Sequence, residues 1–148
     1  MAKRNIFRGL AAVLALGMCM TGLAGCGSEK RADGKTEIEV VSYKPEAVKA
    51  FEKIEKRFNE THDDIHLTIS SPNEAMTILK TRFIREDYPD IIAIGGDINY
   101  SNFLDADLFE DISGLDEVQT VKQAYLDMDK ELEFIPKDGT YALPYVAN

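Results

Sequence analysis

Basic residues are in short supply. The chain has 17 of them against 26 acidic ones among 148 residues, a formal net charge of −9. A nucleic-acid binder needs a basic face to neutralise phosphates, so no nucleic-acid partner is expected. The same deficit excludes adhesion to anionic lipid by charge alone. Cysteine is scarcer still, with only Cys19 and Cys26. Histidine is limited to His62 and His66. These two are four apart, but HExxH is missing and Asp63-Asp64 between them reads as a helix exit, so no metal site is expected. No Ser/His/Asp or Cys/His arrangement for nucleophilic catalysis is visible. Asp105 and Asp107 invite comparison with the two carboxylates of a glycosidase. Their spacing puts them on different faces of a helix, and they read as solvated surface acids. There is no internal repeat and no low-complexity tract. The composition that remains, 45% hydrophobic and 29% charged, is an ordinary globular mix with room for one domain.

The first residues read as an address. Lys3, Arg4 and Arg8 form a basic region, and residues 9–20 form an apolar run. That run falls short of the roughly 20 residues that span a bilayer, so residues 1–25 are expected to be a secretory signal peptide. The run ends in Leu23-Ala24-Gly25-Cys26, which resembles the lipobox of bacterial lipoproteins. The resemblance implies that Cys26 is acylated and becomes the new N-terminus. The plainer alternative is a cut near Ala24 or Gly25 that leaves Cys26 an ordinary thiol. Cys19 lies in the removed peptide, so Cys26 has no intramolecular disulfide partner. Lipoprotein modification supplies at least two acyl chains, enough for stable attachment to the bilayer. The body would then sit on the extracytoplasmic face of the cell membrane. Loss of Lys3, Arg4 and Arg8 makes that body three charges more acidic. Residues 26–36 carry the anchor and then small, charged residues with two glycines, a flexible tether.

The mature chain alternates strand and helix signals. Ile38-Glu39-Val40-Val41 is a β-branched run. Pro45 opens a helix with Val48, Phe51, Ile54 and Phe58 on one face and Glu52 paired to Lys56. Residues 65–69 alternate as a second strand. Ser71-Pro72-Asn73-Glu74 has the form of a capping box, starting a helix with Met76, Leu79 and Phe83 inward and Pro89 as its stop. Ile91-Ile92-Ala93-Ile94 reads as a strand buried on both faces, ended by Gly95-Gly96-Asp97. Residues 100–107 suggest a short helix with Tyr100 and Phe103 in the core or at its rim. Val118, Val121 and Tyr125 suggest another helix. Residues 132–135 and 140–143 flank Lys137-Asp138-Gly139 as a hairpin. The order β-α-β-α-β implies parallel strands, right-handed crossovers and an open α/β sheet. Ligands of such sheets bind beyond the strands' carboxyl ends.

In order and spacing, several pieces resemble the N-terminal part of an extracellular solute-binding protein of a bacterial carbohydrate ABC importer. They are the lipobox, the strand and helix ending in Phe58-Asn59-Glu60, the strand at 65–69, Tyr88-Pro89-Asp90-Ile91-Ile92, and Asp138-Gly139-Thr140-Tyr141-Ala142-Leu143-Pro144-Tyr145. The resemblance implies a periplasmic-binding-protein-like open parallel sheet, with residues 37–148 as a partial first lobe. It implies two lobes in a chain two to three times longer, so this one reads as truncated near the first hinge crossover. It also implies a sugar or oligosaccharide ligand, permease subunits as partners, no cofactor and no catalysis.

The expected ligand-binding residues are Tyr43 and Lys44 after the first strand, Gly95, Gly96 and Asp97 after the third, and Tyr145 and Asn148 at the hinge. Lys44 cannot accept a hydrogen bond as a helix cap, which leaves the N–H groups behind Pro45 open to a ligand oxygen or to water. Gly95 and Gly96 let backbone approach a ligand or simply turn the chain. Asp97 accepts from sugar hydroxyls or caps the next helix. Tyr145 offers a stacking face or packs in the hinge. The rival functions are a surface lipoprotein hydrolase of glycans and a fragment without solute binding.

Overall fold

The computed structural model describes residues 31–145. The expected signal peptide, Cys26, most of the expected tether and Asn148 lie outside the described residues. Three parallel strands form the sheet: β1 (Thr36–Ser42), β2 (Ile65–Ser70) and β3 (Ile91–Ala93), in the order β2-β1-β3. Helix α1 (Val48–Thr61), preceded by a 3-10 turn at Pro45–Ala47, connects β1 to β2, and α2 (Ala75–Ile84) connects β2 to β3. Helix α3 (Ile98–Asp105), a 3-10 turn at Asp116–Thr120 and α4 (Gln123–Glu131) follow. The expected open parallel α/β sheet is the observed one.

Side chains close the outer edge of β2, where backbone groups would otherwise face solvent unpaired. Asn59 on α1 takes both polar groups of Leu67, accepting from its N–H at 2.7 Å and donating to its C=O at 2.8 Å. The Glu55 carboxylate accepts from the Ile69 N–H at 2.7 Å. Thus α1 is held to the strand by hydrogen bonds as much as by its apolar face. Of the expected apolar stripe, Ile54 is 52% exposed, so that face is only partly covered. Lys56 pairs with Glu60 rather than with Glu52.

On the other side, Arg82 of α2 makes a two-pronged contact with Glu39 of β1, both hydrogen bonds 2.7 Å. It also reaches Asp87. The core gathers Val41, Ala75, Leu79, Tyr100, Phe103 and Leu104, with Leu79 and Leu104 wholly buried. Phe103 meets Phe83 edge to face. The expected core positions Tyr100 and Phe103 are therefore filled as read.

Other local expectations are corrected. The capping box does not form: α2 begins at Ala75, and Glu74 at its cap makes no side-chain cap bond. The Ser71 hydroxyl instead donates to the Lys44 carbonyl at 2.9 Å. Helix α2 ends at Ile84, and Glu86 adopts φ +57°, well before Pro89. Strand β3 is the sheet's edge, so Ile91 is half exposed and not buried on both faces. The segment around Val118 and Tyr125 is two short elements, because Val121 and Lys122 are extended between them. Asp105 is not a solvated acid, since its Oδ1 is buried without a hydrogen-bond partner.

The expected hairpin at 132–143 forms no strands. Gly139 sits at φ +104°, and Thr140 pairs with the segment around Asp111 instead. The Asp111 carboxylate accepts from the N–H groups of Ser113 and Thr140 and from the Ser113 hydroxyl. These bonds hold its pKa down at about 2, the Ser113 hydroxyl contributing most. A Cβ on Gly139 would lie 2.7 Å from that carboxylate. Gly139→Ala is therefore expected to cost about 1–3 kcal/mol through the strained backbone alone, read as a lower urea midpoint at unchanged slope. An unaltered midpoint would show that the turn re-forms freely.

Candidate functional site

Tyr43, just after β1, and residues at the start of α2, just after β2, flank a small open cavity of about 190 Å³, lined by Tyr43, Asn73, Glu74, Ala75, Met76 and Thr77. Tyr43 enters it because the β1 ladder runs one residue past the strand, with the Tyr43 N–H donating to the Ala93 carbonyl at 3.1 Å. Lys44 then bends away, and its N–H is taken by the Ser42 hydroxyl at 3.2 Å. The Lys44 ammonium lies 5.2 Å from the centre of the Tyr43 ring. Its pKa is raised, first of all by that phenol.

The N–H groups behind Pro45 are less available than expected. The Ala47 N–H is spent on the Lys44 carbonyl and the Val48 N–H on the Pro45 carbonyl. Both glycines owe their identity to space and not to backbone twist, since neither has positive φ. A Cβ on Gly95 would lie 3.0 Å from the Tyr43 hydroxyl, so Gly95 is the bed on which the Tyr43 ring rests. A Cβ on Gly96 would lie 2.8 Å from the Leu132 side chain, so Gly96 serves the packing of the C-terminal end of α4. Asp97 caps α3, its Oδ1 accepting from the Asn99 N–H at 2.8 Å. Tyr145 is half exposed, and its phenol pKa is raised by burial and then by the nearby Tyr43.

Tyr43, Lys44, Gly95 and Tyr145 are thus brought into one neighbourhood. Of the expected residues only Tyr43 lines the cavity itself; Asn73, Glu74 and Thr77, which also line it, were missed. A capping box explained Asn73 and Glu74 without a ligand, and Thr77 carried no signal. Phenol, amide, carboxylate and hydroxyl groups beside the apolar Met76 suit a polyhydroxylated ligand with an apolar face. His62 stacks on Phe58 while His66 lies on β2. Among the described residues no group of three or more His, Cys, Asp or Glu is placed to hold a metal.

A larger cavity of about 450 Å³ lies among Tyr100, Val118, Asp129, Glu133 and Tyr141. Burial there raises the Asp129 carboxyl and pushes the Tyr100 phenol up to about 12. This cavity touches none of the strand-end loops. The smaller one lies where an open α/β sheet places its ligand.

No protein-family profile matches the chain. It is 28% identical over 137 residues to a multiple sugar-binding protein of Streptococcus mutans, covering 90% of this chain and 31% of that relative. The apo form of RafE from Streptococcus pneumoniae superposes with a TM-score of 0.56 at 31% identity, over 61% of this chain and 23% of RafE. The solute-binding protein (SBP) RafE in complex with raffinose gives 0.57 at 30% identity, over 63% and 24%. The chain therefore spans about a third of the curated relative's length. Its fold is that of one lobe's share of an SBP.

Proposed function

We propose that this chain supplies one lobe of the sugar-capturing receptor of a bacterial ABC importer, held to the outer face of the cell membrane through lipid on Cys26. The observation that carries the reading is the coincidence of two independent facts. The likeness is to sugar-binding proteins, one of them in complex with raffinose. The cavity at the strand ends carries the mixed aromatic and hydrogen-bonding wall that sugars need. The other jaw of the clamp would lie in sequence beyond the third of the relative that this chain spans, and permease subunits would receive the sugar. Closure of two jaws on a ligand explains why one lobe's cavity is small, since the rest of the contact is made only in the closed state. The chain performs no chemistry on the sugar.

The complete gene product is expected to bind raffinose or a related oligosaccharide saturably in calorimetry and to release no reducing sugar. Tyr43→Ala should weaken that binding by about tenfold or more, the loss of an aromatic face. Release of reducing sugar would favour a glycan hydrolase instead. Unchanged affinity in Tyr43→Ala would move the site away from this cavity. For Asp97 the cap and the ligand role are compatible, because only Oδ1 is engaged at the helix. Tyr145, whose phenol lies near Tyr43 and Lys44, is assigned to the hinge side of the same cleft.

A further inference from the structure

The two sides of the strand-end cavity come from different parts of the chain. Tyr43 follows β1, with Lys44 next to it in sequence, whereas Asn73, Glu74 and Thr77 follow β2. The β1–β2 ladder ends at the pair Val41 and Ser70. Beyond it the loops diverge, and Tyr43 follows β3 through its bond to Ala93. One side chain crosses back. The Ser71 hydroxyl lies 2.9 Å from the Lys44 carbonyl and 3.4 Å from the Ser42 carbonyl. The Lys44 carbonyl also accepts from the Ala47 N–H at 3.0 Å, so it anchors the 3-10 turn as well. Ser42, fully buried, fixes the Lys44 N–H through its own hydroxyl. The peptide units on both sides of Lys44 are thereby held, one by Ser42 and the other by Ser71.

We propose that Ser71 is a positioning residue, a hydroxyl staple that sets the Tyr43–Lys44 rim at a fixed distance from the Asn73–Thr77 rim. Its ligand consequence rests on the sugar-binding reading above; its structural consequence does not. A flexible rim must be ordered on binding, at a cost in affinity, and a stapled rim has met that cost in folding. Serine suits the role because its short side chain reaches a carbonyl one strand away and its hydroxyl donates a single hydrogen bond.

The test is amide hydrogen exchange on the full chain, with Ser71→Ala and Ser71→Thr. In Ser71→Ala, amides of the 44–48 segment should exchange about three- to tenfold faster, the effect of one typical hydrogen bond. Amides of β2 and of the middle of α1 should keep their rates, and Ser71→Thr, which keeps the hydroxyl, should restore the segment. Unchanged exchange at 44–48 would overturn the proposal. So would uniform acceleration across the sheet, which would mark Ser71 as mere support for the fold. In parallel, raffinose is titrated into the complete gene product. Binding that weakens three- to tenfold in Ser71→Ala and returns in Ser71→Thr supports the staple, and equal affinity in all three contradicts it. Failure of the unmutated protein to bind raffinose counts against raffinose as its sugar, and the exchange data then decide the staple alone.

Discussion

Leu104→Ala is expected to remove about 3–5 kcal/mol of stability, the upper range for a leucine with no route to collapse. Leu104 has no exposed surface, and it sits on α3 between Phe103, itself buried, and Asp105, whose Oδ1 is cut off from water. Its backbone is also pinned, because the carbonyl accepts from the Lys137 ammonium at 2.8 Å. The helix cannot slide to fill the space. The fully buried set is small, so one cavity takes a large fraction of a net stability of about 5–15 kcal/mol. Urea unfolding followed by far-UV circular dichroism measures it. Ile54→Ala is the matched control, since a half-exposed side chain should cost less than about 1 kcal/mol. A Leu104→Ala loss no greater than that of Ile54→Ala would mean that α3 is not packed into the core as described.

The contrast between these two positions shows what the sequence conveys. Leu104 and Ile54 are both aliphatic residues at helical spacing, and periodicity alone ranks them alike. The difference arises from depth in the fold. Helix α1 covers an edge strand and meets it with Asn59 and Glu55, so its apolar stripe is only partly used. The strands were legible because β-branched runs and alternation are local signals. The parallel order was legible because helical connections demand it. What was not legible depended on partners far along the chain. Ser71 and Glu74 formed a plausible capping box until the Lys44 carbonyl claimed the serine hydroxyl across 27 positions. The turn at Gly139 read as a hairpin because the claim of Asp111 on Thr140 is invisible locally. At the candidate site, Tyr43 follows from the strand-end rule. Gly95 was expected to bring backbone close to a ligand or to turn the chain, and only the folded chain shows that its missing side chain makes room for Tyr43.

Cys26→Ala is expected to transfer the mature protein almost completely from the membrane fraction to the soluble one. Attachment through this residue would be close to all-or-none because both acyl chains would depend on its one thiol. No helix among the described residues is long and apolar enough to cross a membrane. The net charge of −9 repels anionic lipid, and loss of Lys3, Arg4 and Arg8 with the proposed leader would make it more so. Against this, each methylene buried by an acyl chain contributes about 0.8 kcal/mol, and two chains together hold a protein stably where one does so only marginally. On the proposed anchor, removing the thiol would remove both chains at once. Fractionation of cells expressing the complete gene product gives the distribution, and mass spectrometry of the N-terminus gives the state of residue 26. The unmutated protein should carry acyl mass on Cys26, and the variant should carry none. The mass also distinguishes an acyl anchor from an uncut leader, whose apolar run at 9–20 would retain the precursor by itself. A variant that has lost its leader, carries no lipid and still sediments with membranes would refute the acyl anchor and place the attachment elsewhere in the chain.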